Sequence, residues 1–183
     1  MKKFTKYSRV VFAVLALLAG NGGSTLQAAD ETDPVGMAID LLHRADADFR
    51  QLGLDAIAHA TPGEAATYRY AAELSKLPAG QQRELLAAFR DRGDAAAAAA
   101  VTALLLASAD SDVRADAIRT LGVLGNATEV ELLKAALAKP DPEQAAARRA
   151  LVTLQGRHVG KQLADAARFG EPSLRPKLID ILA

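Results

Sequence analysis

Residues 112–125 read Asp112-Val113-Arg114-Ala115-Asp116-Ala117-Ile118-Arg119-Thr120-Leu121-Gly122-Val123-Leu124-Gly125. The apolar side chains at 113, 117, 118, 121 and 124 recur every three or four residues, which places them on one face of an α-helix. Gly125-Asn126 follows as a stop signal. The segment is therefore a helix with one face to bury.

Laid over the segment 80–93, the unit puts Leu86, Phe89 and Gly93 where Ile118, Leu121 and Gly125 stand. One equal step further back, Arg50, Leu54 and Ile57 match Arg114, Ile118 and Leu121. In the forward direction Ala147, Leu151 and Leu154 match Ala117, Leu121 and Leu124, and Leu178 and Leu182 in turn match Ala147 and Leu151. Five units with a period of about 30 residues mark an internal repeat.

Each unit also has an earlier helical face. These are Val35, Ala38, Ile39 and Leu42; Ala66, Tyr70 and Leu74; the run Ala95 to Leu106; Val130, Leu133 and Leu137; and Val159, Leu163 and Ala166. Asp33-Pro34 and Asp141-Pro142 read as an N-cap followed by proline at the first helical position. Thr61-Pro62-Gly63-Glu64 and Thr128-Glu129-Val130-Glu131 each fit a capping box. No stretch alternates as a half-buried strand does, so the expected fold class is all-α. A lone helix pair carries apolar residues on more surface than it can cover, and stacking the pairs buries the rest. The expected architecture is a right-handed α-solenoid of about five helix pairs over residues 35–183.

Composition agrees with close-packed helices. Half the residues are apolar but only 4% are aromatic, and Trp is absent. Ala and Leu, both strong helix formers, carry the apolar content. The absence of Cys excludes disulfides, thiolate metal sites, c-type haem attachment, a Cys nucleophile and a lipoprotein anchor.

Residues 1–29 form a separate segment. Lys2, Lys3, Lys6 and Arg9 precede the apolar run Val10 to Gly20, and the small residues Ala28-Ala29 precede Asp30. This is the pattern of a secretory signal with cleavage near Ala28-Ala29, and the run is short of the roughly 20 residues a membrane span needs. Residues 30–34 are read as a short linker, and the mature chain has no expected membrane span. Removing the signal takes away those four of the 22 basic residues and none of the 22 acidic ones, which leaves a net of about −4. Nucleic-acid affinity rests on neutralising phosphates, so nucleic acid is excluded as a partner.

The run Asp110-Ser111-Asp112-Val113-Arg114 through Ala117, Leu121-Gly122 and Leu124-Gly125 resembles the second helix of bacterial HEAT repeats, closest in style to the phycobilin-lyase-like subgroup. The resemblance covers residues 35 to 183 and is densest in the third unit. It implies a curved, armadillo-like array whose second helices line a concave binding surface. A few members of the family are chromophore lyases or base-excision enzymes, so fold alone does not assign function. Arg148 departs from the pattern, falling in the slot filled by Leu54, Leu86, Ile118 and Ile179. Either the Ala-rich fourth unit shifts its helical register by one residue, or a charge sits at the seam between repeats. An unpaired buried guanidinium is too costly, so Arg148 is expected to be paired or exposed.

Candidate chemistry is sparse. His43, His59 and His158 are each isolated and belong to no HExxH-type pair. Asp110-Ser111-Asp112 begins like a calcium loop, but the twelfth residue is Leu121 rather than a bidentate Glu. These acids, like Asp46-Ala47-Asp48, fit helix N-termini, where negative charge is favourable. Asn126-Ala127-Thr128 is formally a glycosylation sequon, taken as coincidence beside the capping assigned to Thr128. No GxSxG, Gly-rich phosphate loop or adjacent nucleophile and base occurs. No catalytic, cofactor or metal residues are therefore assigned, and the chain is not expected to be an enzyme.

Arg119 and Arg149 lie one period apart, as do Arg114, Gln144 and Arg175 in turn. Arg114, Arg119, Arg149 and Arg175 are therefore candidates for a surface that recognises acidic partners. The competing account is a set of inter-repeat ion pairs with Asp112, Asp116 and Glu143, each worth little when exposed. The chain ends Lys177-Leu178-Ile179-Asp180-Ile181-Leu182-Ala183 without a polar closing helix. Ile181 and Leu182 are accordingly candidates for docking onto a second copy, a partner or further repeats. The expected function is an exported, periplasmic or secreted scaffold that binds a protein partner. The alternatives are a lyase-like enzyme acting on a tetrapyrrole, and an accessory module or fragment of a larger envelope protein.

Overall fold

A computed structural model describes residues 33–183. The signal sequence expected over residues 1–29 lies outside the described residues. Of the expected linker, Asp33 and Pro34 are described, and Pro34 already opens the first helix.

Among the described residues every regular element is helical and none is a strand. In chain order the α-helices are α1 (Pro34–Leu42), α2 (Ala47–His59), α3 (Glu64–Ala71), α4 (Ala79–Arg92), α5 (Ala98–Ala107), α6 (Ser111–Leu124), α7 (Val130–Leu137), α8 (Glu143–Thr153), α9 (Val159–Phe169) and α10 (Arg175–Leu182). Short 3-10 turns occupy Leu74–Lys76, Ala95–Ala97 and Ala127–Glu129. The even-numbered helices begin at Ala47, Ala79, Ser111, Glu143 and Arg175, at one constant interval.

The described residues divide into two compact units, one ending at Tyr70 and the other spanning Ala71–Ala183. In the first, α1 packs on α2. Ala38, Leu41, Leu42, Leu54, Ala56, Ile57 and Tyr70 form its buried side, while Val35 and Ile39 are half-buried. Asp46 caps α2 by accepting from the backbone N–H groups of Asp48 (2.8 Å) and Phe49 (3.4 Å).

In the second unit, α6 packs against α4 on one side and α8 on the other, and α8 meets α10. Helix α5 packs on α6, α7 on α8 and α9 on α10. Val113, Ala117, Ile118, Leu121 and Leu124 are all buried, as the periodicity of residues 112–125 requires. At Gly122 the backbones of α6 and α8 come so close that a Cβ would stand 2.6 Å from Ala150 Cα. A left-handed Gly93 (φ 68°) closes α4.

The caps divide between expectation and correction. Asp110 accepts from the N–H groups of Asp112 (2.8 Å) and Val113 (3.1 Å), so the acids here are a helix cap. The expected box at Thr128 is displaced to Asn126. Asn126 accepts from Thr128 N–H (3.0 Å), and Glu129 reaches back to Asn126 N–H (2.6 Å). Thr61 is buried, and its hydroxyl bonds to the Tyr70 hydroxyl. Asp33 precedes α1 without a capping bond and is held instead by Arg69 at 2.8 and 2.6 Å.

Arg148 keeps its departure. Ala147, Leu151 and Leu154 are buried in phase with Ala117, Leu121 and Leu124, so the helix has not shifted register. Arg148 therefore does occupy the Ile118 slot, and it is tolerated because its side chain is 58% exposed and 3.7 Å from Asp180 on α10.

Candidate functional site

The sequence candidates fall into three physical situations. Arg114 belongs to the first, which is structural. Its Nη1 donates to the Ser108 carbonyl (3.0 Å) at the C-terminal end of α5, and its Nε and Nη2 donate to Glu143 Oε1 at 3.0 and 2.7 Å. Arg175 is similar, with Nε donating to the Gly170 carbonyl (2.8 Å) at the end of α9.

Both belong to a set that recurs in every repeat. Arg50 donates to the carbonyls of Arg44 (3.2 Å) and Ala45 (2.6 Å). Gln82 donates to the Leu74 carbonyl at 3.0 Å. Gln144, in the amide orientation that satisfies both neighbours, donates to the Lys139 carbonyl (3.3 Å) and accepts from Lys177 Nζ (2.9 Å). Positions 50, 82, 114, 144 and 175 follow the register of the sequence repeat. In each unit a long polar side chain near the start of the second helix latches a carbonyl of the segment that precedes it, where orphan acceptors collect. The periodicity of Arg114, Gln144 and Arg175 thus has a structural cause. Gln82 stands in the same register but was not singled out in the sequence.

Arg119 is in the second situation, an ion network. It donates to Asp116 Oδ1 on its own helix, while Arg83 Nε on α4 donates to Asp116 Oδ2 at 2.7 Å. Asp116 is 8% exposed. Burial pushes its carboxyl upward, but the hydrogen bonds and charges of Arg83 and Arg119 outweigh that and hold it below the ordinary value. Next to it, buried Thr120 donates to the Asp116 carbonyl (2.8 Å) and accepts from Arg90 (3.1 Å). Arg83 and Arg90 carried no signal in the sequence, since their partners lie 33 and 30 residues away.

Arg149, Ile181 and Leu182 form the third group. Arg149 is exposed, and no side-chain hydrogen bond or ion pair holds it among the described residues. Leu182 is 45% and Ile179 57% exposed, whereas Ile181 is half-buried and Leu178 buried. Elsewhere in the second unit an open apolar groove of about 370 Å³ runs beside α5, lined by Leu74, Ala100, Ala103, Leu104 and Ala107, with Ser75, Gln82 and Ser108 as polar members.

Among the described residues no group of three or more His, Asp or Glu side chains is placed to hold a metal ion. No described helix is long and apolar enough to cross a membrane. No protein-family model matches the chain, and no curated protein matches it either.

Proposed function

We propose that this chain is an exported helical-repeat scaffold of the HEAT kind, which holds a protein partner and carries out no catalysis. Its ten described helices are read as five pairs of a right-handed α-solenoid, with the even-numbered helices on the concave side and either that side or the C-terminal end in contact with the partner. The observation that carries the reading is the repeat itself. A second helix begins at the same interval throughout, and each carries an Arg or Gln that latches the preceding segment. Such a unit cannot bury its apolar face alone and gains stability by stacking. Export rests on the basic and apolar N-terminal segment described above, and places the protein in the periplasm or outside the cell.

The test is affinity capture from an envelope extract with the chain from Asp30 onward, followed by mass spectrometry. A reproducible partner, lost on changing Arg119 and Arg149 or Ile181 and Leu182, is the expected result. Empty captures under conditions where the chain is folded would defeat the scaffold reading.

A further inference from the structure

A band of exposed side chains crosses three successive second helices of the C-terminal unit. It comprises Val123 on α6, Arg148, Arg149 and Val152 on α8, and Ile179 with Asp180 on α10, with the half-buried Arg119 of α6 at its edge. Val123, Val152 and Ile179 are 53%, 62% and 57% exposed. Their base is closely packed. Gly122 abuts Ala150, the Thr153 hydroxyl donates to the Gly122 carbonyl at 3.2 Å, and Arg148 meets Asp180.

The charges along this band do not balance. Arg119 shares the buried Asp116 with Arg83, Arg148 faces only the exposed Asp180 at 3.7 Å, and among the described residues no carboxylate pairs with Arg149. Three guanidinium groups thus share these helices with two exposed valines, with one exposed carboxylate and part of a buried one in reply. Neighbouring helices lie roughly 8–10 Å apart, so the band is about 16–20 Å long, the length of roughly 12 residues of helix.

We propose that this band is the docking site for an acidic, amphipathic helical segment of a partner protein. Its carboxylates pair with Arg149 and Arg119, and its apolar face covers Val123, Val152 and Ile179. Such a segment supplies the charge the band lacks. A second copy does so less well, because a two-fold contact would bring the same cations face to face. The proposal rests on the scaffold reading and specifies its working face and the chemistry of its partner.

A displayed library of random peptides about 16 residues long, panned against the full chain, tests it. Enriched peptides are expected to be acidic, with apolar residues at three- and four-residue spacing. Their affinity is expected to fall about tenfold or more for Arg149→Glu and for Val152→Asp, and to weaken as salt rises. Both positions are exposed, so thermal unfolding of the variants should match that of the parent. Enrichment of basic or uncharged peptides, no enrichment, or equal binding by both variants overturns the proposal. So does a dimer in sedimentation that Val152→Asp dissolves. A partner from the envelope extract that is retained by both variants, yet lost on changing Ile181 and Leu182, would leave the scaffold reading standing and remove only this face.

Discussion

Asp116 shows how one residue changes meaning between sequence and structure. In the sequence it is a polar position of a helical repeat. Folded, it is a nearly buried carboxylate between guanidinium groups from two helices. Because its folded pKa is depressed, its contribution to stability is present above the unfolded value of about 3.9 and is lost as pH falls through the folded value. Asp116→Asn is therefore expected to cost about 1–2 kcal/mol at pH 7 and to flatten part of the acid limb below about pH 4. Chemical denaturation at several pH values measures both. The magnitude is kept small because Arg83 and Arg119 are partly exposed and water screens them. Gly122 makes a steric prediction. Gly122→Ala places a methyl against the α8 backbone and is expected to cost about 1–3 kcal/mol, read as a lowered unfolding midpoint. The closeness of α6 and α8 was not legible in a Leu-Gly dipeptide, because nothing local distinguishes a contact glycine from a tolerated one.

Between elements, the latch is the recurring device. Arg114 closes the turn after α5 and also neutralises Glu143, which is only 6% exposed at the start of α8. Arg114→Met would keep much of the side-chain bulk but leave both acceptors unanswered. It is expected to destabilise the chain by about 2–3 kcal/mol, with faster amide exchange at the start of α8. Gln82→Leu removes a single bond to the Leu74 carbonyl and is expected to cost only about 1 kcal/mol. Equal effects of the two changes in denaturant unfolding would contradict this division of labour. The helices themselves were legible from their periodicity, but the cap assigned to Thr128 was misplaced. Thr128 fits the capping pattern on paper, yet Asn126 takes that place, one short step earlier in the chain.

At the scale of the molecule, the functional reading turns on which cations the fold leaves unoccupied. Arg114 and Arg175 are bound to turns, Arg119 to Asp116, and Arg149 to no described carboxylate. Replacing Arg175 should consequently lower stability, while replacing Arg149 should leave unfolding unchanged within about 0.5 kcal/mol and act on partner capture alone. Parallel unfolding and capture measurements on the two variants separate these outcomes. If Arg149→Glu destabilised the chain as much as an Arg175 variant, its assignment to a free surface would be wrong.

By itself the sequence determined that the described chain is helical, where most helices lie, and the repeat register that the latches obey. Periodicity, caps and propensity act within a few residues, so they survive in a one-dimensional reading. The same register correctly left Arg148 in an apolar slot. Only the tertiary structure decided that this slot is exposed, that Asp116 is buried between two arginines, and that Arg114 and Arg175 are committed while Arg149 is not. Those outcomes depend on ion pairs and carbonyls carried by separate helices, and such partners, distant in the chain, become neighbours only when the helices pack.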